Sequence, residues 1–169
     1  MVRQVDWSGP RTVAEFGPGT GAITRYILEK VEDQHDFFAV EINQGMVAAM
    51  AKRFPAVEVH HESATDIKAI CQQRGTPRLD AVISGLPWTV FSDQLQEDII
   101  QAMLTVLEPD GVFITFAYWH GLMLKGAKRF RRLLESSFGD VTASGIVWGS
   151  FPPAMFYTCT PGPNQLDQS

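Results

Sequence analysis

The chain has 169 residues, 45% of them hydrophobic and 20% charged, the balance of one ordinary globular domain. Its formal net charge of −5 argues against a nucleic-acid-binding protein, whose footprint is basic, while leaving room for a local basic patch. Cys71 and Cys159 fit no metal or redox spacing and point to a reducing, cytoplasmic setting; no apolar run has the length of a membrane span, and no signal-peptide core opens the chain.

Short apolar runs alternate with longer segments of helical period, the pattern of an α/β doubly wound sheet. The first strand is expected over 12–16. It runs into Glu15-Phe16-Gly17-Pro18-Gly19-Thr20-Gly21 and then into a helix over 20–32. A strand that turns through three alternating glycines into a helix brings backbone very close to a ligand. The second strand, 37–41, ends on Glu41, about twenty residues past the glycines, where a carboxylate can accept both hydroxyls of a ribose. Further strands are expected over 56–60, 79–84 and 111–117, with helices over 43–53, 66–74, 92–107 and 122–136. Asn43 is placed to cap the second helix and Ser92 or Asp93 the fourth. Pro109-Asp110-Gly111 is turn chemistry leading into the fifth strand. The runs 141–148 and 155–160 are joined through 149–153, a link so short that the pair must be an antiparallel hairpin. Residues 161–169 form a frayed tail of the single domain 1–169.

The glycine spacing bears on the ligand. Dinucleotide folds use G-x-G-x-x-G to hold a pyrophosphate at a helix N-terminus. Here the spacing is G-x-G-x-G, and Glu15 beside it would repel a pyrophosphate but suits an ammonium. A glycine-rich turn with no ligand is the alternative on the loop alone; Glu41 argues against it.

With this loop, a parallel sheet and a closing hairpin, the chain resembles the class I S-adenosylmethionine-dependent methyltransferases over nearly its whole length. The resemblance implies a Rossmann-like seven-stranded sheet of order 3-2-1-4-5-7-6 with the last strand antiparallel. Within that class, Glu15 to Gly21, Ser84-Gly85-Leu86-Pro87-Trp88 and the 148–154 segment look like bacterial phospholipid N-methyltransferases, which methylate phosphatidylethanolamine. They are similar, less closely, to ribosomal RNA adenine dimethyltransferases. In adenine N6-methyltransferases the motif after the fourth strand begins with Asn or Asp, whose oxygen accepts from the target amine; Gly85 stands here instead and offers no acceptor.

The resemblance assigns Glu15, Gly17, Gly19, Thr20 and Gly21 to the methionyl part of S-adenosyl-L-methionine, Glu41 to its ribose, and Ile42 to its adenine face. Ala64 and Asp66 follow the third strand, with Asp66 accepting from the adenine amine or, alternatively, capping a helix. Ser84, Gly85 and Leu86 complete the cofactor site. Trp88, Tyr118 and His120 are the candidate catalytic residues: an aromatic wall for a substrate amine, with His120 or a Tyr118 relay taking its proton. Core packing is the competing reading for the tryptophans, and a surface loop for His120. No metal is expected.

Lys125, Lys128, Arg129, Arg131 and Arg132, interleaved with leucines, make an amphipathic basic helix. It is either a solvated face or an element that meets a phospholipid membrane surface from the cytoplasmic side. The reading is therefore a methyltransferase acting on the amine of phosphatidylethanolamine or its methylated products. The alternatives are an RNA adenine N6-dimethyltransferase, a small-molecule methyltransferase, or a cofactor-binding domain inactive for want of the helices that precede the first strand in related enzymes.

Overall fold

Val13, Ala14 and Phe16 are wholly buried along β1 (Thr12–Phe16), as a strand covered on both faces requires. β1 pairs in parallel with β2 (Asp36–Val40) on one side and β4 (Leu79–Ser84) on the other. With β3 (Glu58–His60), β5 (Leu107–Tyr118), β6 (Asp140–Ala143) and β7 (Ala154–Thr160) they form a seven-stranded sheet of order β3-β2-β1-β4-β5-β7-β6. β7 runs antiparallel to both β5 and β6, which is the expected hairpin. This is a computed structural model and describes residues 1–9, 11–118, 125–145 and 154–162, without the side chains of Tyr118 and Lys125.

Among the described residues five α-helices flank the sheet: α1 (Thr24–Leu28), α2 (Gln44–Arg53), α3 (Ile67–Arg74), α4 (Asp93–Leu104) and α5 (Lys125–Ser137). Both capping expectations hold. The Asn43 side chain accepts from the Gly45 and Met46 amides, and Ser92, not Asp93, accepts from the Leu95 amide. The period-2 alternation of the strands divides the core. Ala14, Phe16, Val82 and Phe113 face α3, α4 and α5, while Val13, Ala81, Ile83 and Ile114 pack on Ile27. Val2 and Val5, at a 3-10 turn over Val2–Gln4, bury against this second cluster, so the segment before β1 is part of the fold. Among the described residues no helix is long and apolar enough to cross a membrane.

Several bounds differ from expectation: β3 begins at Glu58, α4 ends at Leu104 and β6 ends at Ala143, and two further shifts have local reasons. α1 begins at Thr24 instead of residue 20 because Gly21 sits at φ 82°, outside helical geometry. β5 begins earlier, at Leu107, because the Pro109-Asp110-Gly111 turn is a bulge inside the strand. Leu79 pairs with Leu107, and two residues later Ala81 pairs with Val112.

Candidate functional site

The strand order reverses between β1 and β4, so the carboxyl ends of these two strands open a crevice. Gly17, Gly19 and Gly21 beyond β1 all hold positive φ, at 67°, 57° and 82°. A Cβ at position 19 would meet nothing within 4 Å, so the loop is open there to a ligand. A Cβ at 21 would lie 2.2 Å from the Phe54 ring; Gly21 serves close packing against α2.

A cavity of about 470 Å³ fills the crevice. It brings together Gly17, Gly19, Glu41, Ile42, Gly85, Leu86 and Trp88 from the residues expected at the site. Glu41 is buried and held by two backbone amides: Gly19 N–H donates to Oε2 at 3.1 Å and Asn43 N–H to Oε1 at 2.9 Å. Each oxygen keeps a further lone pair, so the carboxylate is oriented in advance for a diol. Ile42 beside it is 69% exposed, a large apolar side chain uncovered at the cavity rim.

Glu15 lies beneath the loop, on the same face of β1 as Val13, with no exposure. Thr24 Oγ1 donates to its Oε2 at 2.6 Å, while Oε1 is buried with no hydrogen-bond partner. Burial pushes its pKa up to about 7 against the opposing Thr24 hydrogen bond. Thr20, Ala64, Asp66 and Ser84 do not line the cavity. Thr20 is exposed and its carbonyl accepts from Arg53. Asp66 is exposed at the start of α3 with no cap hydrogen bond, so its competing capping role is not used; Ser63 caps the preceding turn.

Ser84 is wholly buried, and its Oγ accepts from the Trp88 indole N–H at 3.1 Å. Trp88 is only 2% exposed: it stacks on Phe130 of α5, and Gln96 donates to its carbonyl at 2.6 Å. The ring therefore belongs to the core and to the cavity wall at once. At position 85 a Cβ would lie 2.6 Å from the Gly17 carbonyl oxygen, which explains why Asn or Asp is absent. The wall also takes in Thr89, Phe91, Phe116, Ala117, Ala127, Phe130 and Tyr157, which the sequence did not point to. Phe116, Ala117, Ala127, Phe130 and Tyr157 offered only their places in the apolar patterns of β5, α5 and β7, and Thr89 and Phe91 only their nearness to Trp88. Tyr118 ends β5 opposite Ala154. Its side chain, Trp119, His120, Trp148 and the 149–153 turn lie outside the described residues.

The donor set fits an S-adenosyl nucleoside. An oriented carboxylate suits a ribose diol, the open backbone at Gly19 suits an amino-acid moiety, and an uncovered isoleucine suits a base; Glu15, beneath the loop, does not line the cavity.

A family described as a methyltransferase domain matches residues 13–111. The ornithine lipid N-methyltransferase of Singulisphaera acidiphila is 32% identical over 165 residues, covering 94% of this chain and 80% of that one. The ribosomal RNA small subunit methyltransferase A of Dichelobacter nodosus is 27% identical over 101 residues, 60% of this chain and 37% of that one. Two solved structures share the fold. Human methyltransferase-like protein 13 in complex with SAH aligns with TM-score 0.67 and 20% identity, over 94% of this chain and 75% of that one. The O-methyltransferase TomG of Streptomyces achromogenes in complex with SAM gives TM-score 0.70 and 19% identity over 90% and 74%.

Proposed function

The chain belongs to the methyltransferase domain family and is a class I S-adenosylmethionine-dependent methyltransferase, and from that premise we propose that its acceptor is the amine of a membrane lipid, phosphatidylethanolamine or its partly methylated products. The observation that carries this reading is the likeness, running over 94% of the chain, to an enzyme named for lipid N-methylation. The relatives named for ribosomal RNA methylation match shorter stretches, 60% and 54% of this chain, at 27% and 32% identity. Gly85 supports the lipid reading: it supplies no acceptor for an adenine amine, and the Gly17 carbonyl leaves no room for one.

When bound, the cofactor supplies a methyl group on a positively charged sulfur. The chain's own part is binding and orientation. Glu41 accepts the ribose hydroxyls, Ile42 covers the adenine, the open backbone at Gly19 receives the amino-acid moiety with Gly17 beside it, and the buried Glu15 carboxyl lies beneath the loop, where a nearby cation favours its charged form. Holding the acceptor nitrogen against the donor in a dry cavity accounts for most of the rate such a reaction needs. Tyr118, the last residue of β5, and His120, two positions on in the sequence, are proposed as the route by which the amine's proton reaches solvent. Lys128, Arg131 and Arg132 are exposed on α5, and we place this face against an anionic bilayer on its cytoplasmic side.

The test is methyl transfer from labelled cofactor to three acceptors: phosphatidylethanolamine vesicles, ornithine-lipid vesicles and bare ribosomal RNA. Label in phosphatidylethanolamine is expected. Label in ornithine lipid alone would replace the headgroup, and label in RNA alone would overturn the lipid reading.

A further inference from the structure

The cavity has two chemically different ends. Backbone at Gly17 and Gly19 and the Glu41 carboxylate line one. Trp88, Phe91, Phe130 and Tyr157 line the other, with Ala117 and Ala127 leaving room among the rings. The rings are fixed in place. Trp88 and Phe130 stack with centroids 4.4 Å apart and planes 13° from parallel, and Phe91 meets Trp88 edge to face at 6.0 Å. The indole N–H is spent on Ser84, so Trp88 offers its ring and not a donor. Burial raises the Tyr157 phenol above its ordinary pKa, which keeps it uncharged at neutral pH. Among the described residues, no charged side chain lines this end.

An ammonium entering such a space finds no carboxylate to pair with among the described residues. Desolvation favours its neutral, nucleophilic form, whereas a carboxylate would hold the proton on nitrogen. A methylated cation gains what a hydrated ammonium does not: attraction to ring faces at little desolvation cost.

We infer that this aromatic end, which no charged side chain lines among the described residues, is the acceptor-amine subsite, and that it selects amines that finish as methylated cations, holding the product nitrogen by ring faces instead of an ion pair. The inference rests on the amine-methylating reading above. The ammonium gives its proton to solvent as it is seated. Its lone pair then forms the new nitrogen–carbon bond while the sulfur–carbon bond breaks, sulfur keeping that pair and becoming a neutral thioether. Nitrogen carries the positive charge afterwards, in contact with the rings.

The test needs no turnover. Protein saturated with S-adenosylhomocysteine is titrated calorimetrically with choline and with 3,3-dimethyl-1-butanol, which has the same shape without the charge. Choline is expected to bind at least about five-fold tighter, a difference of about 1 kcal/mol. Phe130→Leu, which keeps apolar bulk and loses the ring, should bring the ratio toward one. Phe91→Leu, at a less buried ring, should lower it in the same direction and stands in if the first variant does not fold. Equal affinity for both probes, no choline binding, or a preference unchanged in the folded leucine variants would overturn the subsite. Vesicles that take no label while choline binds would remove the lipid acceptor and leave the subsite standing.

Discussion

Glu15 carries the largest electrostatic cost of the candidate site, because its carboxyl is wholly buried and only one of its oxygens is hydrogen-bonded. Its folded pKa, about 7, lies above the ordinary 4.5, so the folded state retains a proton that the unfolded chain has released between those values. Folding stability from this group is therefore full below pH 4.5, declines as pH rises to 7 and is flat above; the span is about 3 kcal/mol. Chemical denaturation of the cofactor-free protein at pH 5 and pH 8 checks this. The difference between wild type and Glu15→Gln should change by about that amount, and a constant difference would remove the buried-carboxyl account. Position 85 gives a second prediction at this scale. Gly85→Asn would restore the acceptor found in adenine methyltransferases but drive a Cβ to 2.6 Å from the Gly17 carbonyl. It should cost about 1–3 kcal/mol in a denaturation midpoint by overpacking and weaken S-adenosylhomocysteine binding by displacing the loop. Glu15, Glu41 and the glycines were readable because their chemistry is short-range in the chain. The absence of Asn at 85 was readable as a departure, but its cause, a carbonyl from another loop, was not.

Among the elements, α5 shows most clearly what sequence pattern conveys and what it leaves out. Ala127, Phe130, Leu134 and Ser137 are buried at helical spacing, so the amphipathic face was legible. The basic residues on the other face are partly spent within the protein: Arg129 pairs with Asp93 of α4 at 2.5 Å, and Arg131 with Glu135 one turn on at 2.8 Å. What pattern could not convey is the partner of the buried face, since Phe130 stacks on Trp88 of a 3-10 turn (Trp88–Val90) remote in sequence. Gly126 makes this contact possible. Gly126 stands in the first turn of α5, and a Cβ here would sit 2.4 Å from the Thr89 carbonyl oxygen. Gly126→Ala should therefore lower the melting temperature despite its better helix propensity, with a loss of about 1–3 kcal/mol. A rise in melting temperature would show that the approach of α5 to the turn is looser than described. α1 teaches the converse: its hydrophobic period suggested a helix from residue 20, and the positive φ of Gly21 delays its start to Thr24.

For the molecule as a whole, strand order places the site. Parallel strands, crossover helices and one antiparallel hairpin follow from periodicity and loop length, so the sheet was largely legible. The cavity was half legible. Its cofactor end comes from the loops after β1 and β2, whereas its aromatic end is assembled from the segment after β4, from β5, α5 and β7, and exists only after folding. Those distant contributions are why Phe130 and Tyr157 carried no local signature. The claim on which the rest depends is that this crevice is built for an adenosyl amino acid, with Glu41 as its oriented acceptor. Calorimetric titration with S-adenosylhomocysteine and, separately, NADH tests it directly, alongside a Glu41→Ala variant verified as folded by its melting curve. The account predicts one-site binding of the adenosyl compound, at least about tenfold weaker in the variant from the loss of hydrogen bonds to a charged group, and no heat with NADH. Binding of NADH at this crevice, or an affinity for S-adenosylhomocysteine indifferent to Glu41, would contradict it.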